Sequence, residues 1–426
     1  MSSPVALFRR TFYALDSPQY RTLWFGTLFS FLGMQMQVIA RGYLAYDLTG
    51  KNSALGGVML AFGLPQLLLT LWGGVVADRL PKRNVLIVAQ LIIAANSAWL
   101  AVMIAIGAVD YWMLIVAGIV QGAGFAFVGP ARQAFTADLV GHEALGNAVV
   151  LQQLNMNSTR VIGPSMAGAF IAIPFIGVAG VYFMTTIGFL FATATMLRLP
   201  PGNPRVRTIQ RSPLLDMRDG VGYVMGRPAI LMLILSSFSL VMIGFPYQSF
   251  LPAIAKDVYG VDSTGLGLLS TFGAIGAVAA TLCVAVVAGG PRAFVWQTFT
   301  GLGFGVALVA MGGVSVFWAG LLAMVAVGAL ASAFQSLNNS LIMTYTDRDY
   351  TGRVQSITMM SWSLFGIAAL PIGILADHIG IRETLVLTGI VCVGCVVIIQ
   401  TLSHLIHAET DRVLPQHVPA PASGGR

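Results

Sequence analysis

Charge is what this sequence has least of. Of 426 residues only 16 are acidic and 23 basic, 9% together, against 57% hydrophobic. Soluble domains carry roughly a quarter charged residues, so the shortage excludes a soluble enzyme of one or two cores. Cysteine is scarce too. Cys283, Cys392 and Cys395 all lie inside apolar runs, which excludes an extracellular disulfide framework. The Cys392-Val-Gly-Cys395 spacing resembles a redox pair, but such a pair needs an exposed, activated thiolate; two small hydrophobes inside a membrane helix fit these surroundings. No G-x-x-x-x-G-K-[ST] loop is present, so ATP does not drive the protein directly. No histidine cluster has metal-ligand spacing, and His404 and His407 stand three apart near the C-terminal end. Nothing implies a cofactor. The surplus of bases is scattered over many short loops, which argues against nucleic acid.

What is present is a series of long apolar runs. The first extends from Leu23 to Tyr46, too long for a signal-peptide core. Eleven more centre near residues 65, 95, 122, 158, 187, 241, 276, 303, 330, 365 and 393. We number these twelve runs as spans one to twelve. Twelve spans of about 20 residues fit the hydrophobic total. Ahead of them, residues 1–21 form a basic amphipathic segment suited to the membrane surface. Residues 22–199 make a first six-helix bundle, 200–228 a central cytoplasmic loop and 229–404 a second six-helix bundle. Residues 405–426 form a tail, disordered at its Pro/Ala/Ser/Gly-rich end.

Charge sets the orientation. With the N-terminus inside, eighteen of the 23 bases fall on the cytoplasmic side and four outside, while Arg160 alone lies within a span. The reverse topology inverts this bias, so both termini are expected in the cytoplasm. An internal repeat supports a two-part architecture. A shift of 210 residues pairs Asp47 with Asp257, Gly50 with Gly260, Ser53 with Ser263, Gly57 with Gly267, Phe62 with Phe272 and Gly63 with Gly273. The junction of spans one and two thus recurs at spans seven and eight, as in two parallel six-helix halves.

Span two runs into Gly74-Val-Val-Ala-Asp78-Arg79-Leu-Pro-Lys82-Arg83. This segment resembles the signature of the major facilitator superfamily, G-x-x-x-D-R-x-G-R-R/K, with Pro81 at one glycine. Gly74 permits close helix approach, and Asp78 can sit at a helix end and pair with a base. The resemblance implies a conformational latch of Gly74, Asp78, Arg79, Lys82 and Arg83, with Asp138 as its span-four partner. The runs Pro130-Ala-Arg132-Gln133, Leu32-Gly33-Met-Gln35-Met-Gln37 and Gly163-Pro164-xxx-Gly168 resemble the branch containing the enterobactin exporter and related bacterial efflux proteins. Met34 stands where many relatives have an acidic or small polar residue. Gly163-Pro164-xxx-Gly168 resembles the span-five signature of exporters. Its proline removes a backbone donor and bends the helix, and its glycines permit tight packing.

Arg160 lies near mid-bilayer, where a cation is costly and tends to face a polar cavity. Gln153, Asn157 and Arg160, at i, i+4 and i+7, form one polar stripe on span five. It either lines a cavity or makes a helix-to-helix hydrogen bond. Gln37 is on span one; Arg41, one turn on, either snorkels to the interface or joins the site. Gln335, Asn338 and Asn339 share a face of span ten, Tyr247 and Gln248 follow Pro246 in span seven, and Trp362 lies on span eleven. Such side chains suit an amphipathic ligand, although helix-packing contacts explain any one of them as well. Few carboxylates lie away from helix ends. Asp377, in a near copy of the latch pattern but facing outward, is with His378 a candidate proton site or an outer structural cap.

These features predict an all-α integral membrane protein of twelve transmembrane helices in two pseudo-symmetric bundles, the major facilitator fold. It would be no enzyme. The resemblance implies a proton antiporter in a bacterial inner membrane, exporting a siderophore or drug-like compound by rocking about a central site. The expected partners are that small molecule, protons and the lipid bilayer, with the protein acting as a monomer. An importer of a small polar or anionic metabolite is the nearer alternative. A membrane enzyme would need a nucleophile, paired carboxylates or a metal set, and a receptor a recognition domain; neither is seen.

Overall fold

A computed structural model describes residues 13–202, 213–287, 292–347 and 350–413, and these are helical almost throughout. Span one is Pro18–Thr49, span two Asn52–Arg79, span three Lys82–Ala105 and span six Gly177–Leu197. Spans eight to twelve are Ser263–Val287, Ala293–Gly313, Phe317–Tyr345, Thr351–Ile379 and Ile381–Val413. Ten of the described helices are long and apolar enough to cross a membrane, and Leu364–Ile379 is a shorter apolar stretch within span eleven. Trp72, Ile187, Leu282, Trp318 and Leu322 are exposed, as suits helices solvated by lipid. This is an integral membrane protein.

Spans four and five are one continuous helical run, Tyr111–Ile171. Straight, its 61 residues would extend about 90 Å, three times the thickness of a bilayer core. Its contacts show that it turns back. Gly118 and Gly122 lie on Val58, Ala61 and Phe62 of span two. Further on, the Ala148 and Leu151 carbonyls accept from Tyr20 and Trp24 of span one, at 2.8 and 3.0 Å. Asn155 donates to the Trp24 carbonyl at 3.2 Å. The run therefore crosses twice, and the first half of the chain makes six passes.

Span seven also departs from a plain helix. It begins as Pro228–Ser239, widens to π geometry over Leu240–Gly244, tightens to 3₁₀ over Phe245–Gln248, and is again π over Ile254–Val258. Pro246 and Pro252 lack the amide an unbroken ladder needs, and such irregular turns often mark a hinge. The repeat is visible in the backbone: Gly50 and Gly260, which close spans one and seven, share a left-handed φ of 65°.

Two expectations need correction. The central connection is not loop throughout, because Pro213–Met225 is a helix held to the second half. Its Tyr223 ring stacks on Tyr350 at 4.0 Å, and the Tyr223 hydroxyl accepts from the Asp347 amide at 2.9 Å; just past the helix, Arg227 pairs with Asp347 at 2.6 Å. Span twelve runs to Val413, so the tail does not begin at residue 405. Residues 1–12 and 414–426 lie outside the described residues, as does part of the central connection.

The packing is asymmetric from end to end. The start of span one, the end of span twelve and the described flanks of the central connection lie at one end, here the terminus end; the junctions of spans one and two and of seven and eight lie at the far end. One apolar core containing Met36, Tyr46, Tyr182, Phe245, Phe304 and Phe334 unites the two halves towards the far end. At the terminus end the core divides. Tyr20, Leu86, Phe135 and Leu199 belong to the first half, and Val224, Ile230, Leu341 and Val354 to the second. Among the described residues, the halves thus share one core at the far end and keep separate cores at the terminus end.

Glycine sets the tightest approaches. A Cβ on Gly122 would run into the Phe62 backbone, while one on Gly74 meets nothing within 4 Å. Gly122→Val should therefore destabilise by about 1–3 kcal/mol through overpacking and lower the unfolding midpoint in detergent. Gly74→Ala should leave that midpoint within error.

Candidate functional site

The far end is where the halves touch. Spans two and eleven run antiparallel: Gly56 lies on Ala369 and Leu370, Gly366 on Met59 and Gly63, and Gly373 on Asn52 and Ser53. Spans five and eight meet at Gly168 and Gly267, and Ser165 donates to the Ser270 carbonyl at 3.4 Å. Small residues let these backbones approach closely, and packing rather than a hydrophobic drive associates helices in lipid. Polar contacts join them. Asp377 accepts from the Asn52 and Ser53 amides at 2.6 and 3.0 Å. Asp257 accepts from the Tyr46 hydroxyl, and Lys256 sits over the Tyr46 ring at 5.6 Å. His378 is turned the other way, its Nδ1 2.7 Å from the Ile374 carbonyl of its own helix.

The bend segment of span five is a two-sided joint. Gly163 lies on Leu32 and Gln35 of span one, in its own half, and Gly168 on span eight of the other. Pro164 stands between them, inside the helix. Arg160 lies five residues towards the terminus end from Ser165, about 7.5 Å along the axis, and is half-buried. The side chains of Gln153, Asn157 and Trp362 lie outside the described residues.

Gln37 and Arg41 lie inside the first half in this conformation. Both are 2% exposed, sealed in a network joining spans one, three, four and six. Gln37 donates to Ser97 and Thr185 at 2.7 and 2.9 Å and accepts from Gln121, whose carbonyl in turn accepts from Arg41. In this conformation Arg41 is buried rather than snorkelling to the interface, and a side-chain amide oxygen solvates its guanidinium. Tyr247 is likewise buried, its ring against Phe304 at 6.1 Å. Asn338 is fully buried and accepts from Gln297 of span nine at 3.3 Å. Gln248, Gln335 and Asn339 are half-buried.

At the terminus end, Lys82 is fully buried and pairs with Asp138 at 2.8 Å, tying the start of span three to the end of span four. Arg83 donates to the Leu199 carbonyl at 3.0 Å, and Arg79 is exposed. The Asp78 side chain lies outside the described residues. Arg132, counted in the sequence as a loop base, is instead buried with its guanidinium 4.2 Å above the Phe31 ring.

Sequence reasoning missed Gln121, Ser97, Thr185 and the Tyr46–Asp257 contact. Gln121 carried a signal, as an amide between Gly118 and Gly122 in an otherwise apolar span. Asp257 stood in the repeat, but nothing pointed to Tyr46 as its partner.

The pattern of the transmembrane secretion effector family, within the major facilitator superfamily, matches residues 10–423. The chain belongs to this family. Its relatives are membrane transporters, not enzymes. The chain is 22% identical over 389 residues to macrolide efflux protein A of Streptococcus pyogenes, covering 89% of this chain and 95% of that one. It is 25% identical over 383 residues to the staphyloferrin A transporter of Staphylococcus aureus, covering 86% and 92%. Among solved structures, a bacterial homologue of the human lysosomal transporter Spinster, inward-facing and unoccupied, superposes with a TM-score of 0.71. That match has 14% identity and covers 96% of this chain and 99% of the other. The chain of this secretion-effector family is therefore a transporter of a small molecule with the major facilitator fold.

Arg41→Ala would leave the Gln121 carbonyl short of its donor inside the bundle, a loss of about 1–3 kcal/mol. The expected outcome is a lower unfolding midpoint with cargo affinity unchanged. Lower affinity at unchanged stability would place Arg41 in the binding site instead.

Proposed function

We propose that this protein exports a small organic compound, a siderophore or a drug-like molecule, across a bacterial inner membrane in exchange for protons. The observation that carries the reading is a core continuous across both halves at the far end and divided at the terminus end. With the terminus end in the cytoplasm, as the distribution of bases argues, a cleft between the divided cores would receive cytoplasmic cargo. Export then needs a second state, with the terminus end closed and the far end parted, reached by rocking the halves. The efflux and transport functions named for the relatives favour the outward direction.

Arg160 is the proposed centre of the site, a half-buried cation on a span that touches both halves. Gln153 and Asn157 extend its stripe, and Gln248, Gln335, Asn339 and Trp362 supply polar and aromatic contacts from the other half. Gln37, Arg41, Tyr247 and Asn338 brace the walls from behind. Gly74, Asp78 and Arg79 are the part of the proposed latch that engages when the terminus end closes, on a base already fixed within the first half by Lys82–Asp138 and Arg83. The open space at Gly74 in the present state is consistent with a disengaged latch. Asp377 is the proposed proton carrier; His378, turned onto its own helix, contributes little. The protein acts as a monomer, since each half already finds its partner surface within the chain.

The test is transport into inverted vesicles or proteoliposomes under an imposed pH gradient, screened over siderophores and hydrophobic drugs, macrolides among them. Accumulation should follow the proton gradient and collapse with it. Arg160→Ala should reduce it at least about tenfold, as expected for losing a charged hydrogen-bonding partner, at normal membrane levels. Undiminished transport by that variant would remove Arg160 from the site.

A further inference from the structure

The far-end contacts of Asp377 do more than close a helix end. The first turn of span two has unpaired amides, as every helix N-terminus does, and its own N-cap residue, Lys51, supplies no side-chain bond. The acceptor comes from the other half of the molecule. Asp377, at the end of span eleven, takes the Asn52 amide on one oxygen at 2.6 Å and the Ser53 amide on the other at 3.0 Å. Charged acceptors on backbone amides make stronger hydrogen bonds than neutral ones, and a carboxylate at a helix N-terminus also gains from the helix dipole. One turn earlier on span eleven, Gly373 lets the Asn52 and Ser53 backbone come against the helix, which brings the carboxylate within reach.

The opposite end carries the same Gly-x-x-Ala-Asp pattern on the antiparallel partner. Gly74-Val-Val-Ala-Asp78 ends span two as Gly373-Ile-Leu-Ala-Asp377 ends span eleven. Gly373 is packed on the other half, whereas Gly74 faces open space. Span eleven begins after Tyr350, which gives no side-chain cap. The glycine-and-aspartate pattern is thus engaged across the halves at the closed end. Asp257 adds a second carboxylate from the same half, accepting from Tyr46.

We infer that Asp377, with Asp257 as a second point, is a clasp between the halves, capping span two in trans and holding the far end shut. The inference rests on the two-state reading above but on no particular cargo. Because the bonded amides belong to one half and the carboxylate to the other, parting the far end must break both bonds. Asp377→Asn keeps the shape and removes the charge.

The test is pulsed electron-spin distance measurement on the full chain without cargo, with Cys283, Cys392 and Cys395 replaced by alanine. One label pair, at Asn84 and Thr344, bridges the halves at the terminus end; a second, at Ala108 and Val316, bridges them at the far end. All four positions are exposed. In the Asp377→Asn background the far-end pair should gain a longer-distance population and the terminus-end pair a shorter one. Each should rise about tenfold over the parent, as expected for losing a charge-assisted pair of bonds. Asp257→Asn should move both distances in the same directions. Unchanged distances at both ends would overturn the inference and leave Asp377 as a static cap. Broadening at both ends together would also overturn it, since that reports loss of the fold. Transport is not measured, so a wrong cargo or direction would leave this result standing.

Discussion

Lipid gives helices no hydrophobic reason to associate, because acyl chains are as apolar as leucine. What joins the two halves must therefore be close backbone packing and a few polar bonds. Both are gathered at one end: Gly168 against Gly267, Gly373 against Asn52, and Asp377 on the Asn52 and Ser53 amides. The rest of the architecture depends on this placement. With the joint at the far end and separate cores at the other, the proposed pivoting of the halves would exchange one set of contacts for another.

Pivoting needs halves that move as bodies. In the first half, the buried network of Gln37, Arg41, Ser97, Gln121 and Thr185 ties four spans together, and hydrogen bonds in a low-dielectric interior are strong enough to hold them as one body. Lys82–Asp138 does the same at the terminus end. In the second half, the helix Pro213–Met225 is held by Tyr350 and Asp347, so it travels with that half. In the proposed rocking, deformation would fall to span seven, with its π and 3₁₀ turns, and to the Gly163-Pro164-Gly168 joint.

Much of this was legible in the sequence because it lay in period, spacing and charge. Apolar run length gave the spans, the 210-residue repeat gave two halves, and Gly50 and Gly260 recur with the same left-handed turn. What was not legible was direction across a helix. Gln37, Arg41 and Asn338 are polar residues in apolar runs, and the pattern alone does not say whether such a side chain faces the cleft or a neighbouring span. Their partners decided it, and Gln121 and Gln297 are distant in sequence. Arg132 failed for a related reason: a base near a span end counts as loop charge until Phe31 is seen beneath it. Asp377 was legible as a copy of the latch but not as a cap, because the amides it serves lie more than 300 residues away.

The central claim is that the far-end joint must open for cargo to leave. Ser165 donates to the Ser270 carbonyl across that joint, so cysteines placed at both positions, in a background lacking the native cysteines, are brought near each other for oxidation to a disulfide. Transport by the cross-linked protein in proteoliposomes is the direct measurement. The account predicts that oxidation stops transport and reduction restores it. Undiminished transport by fully cross-linked protein would contradict it.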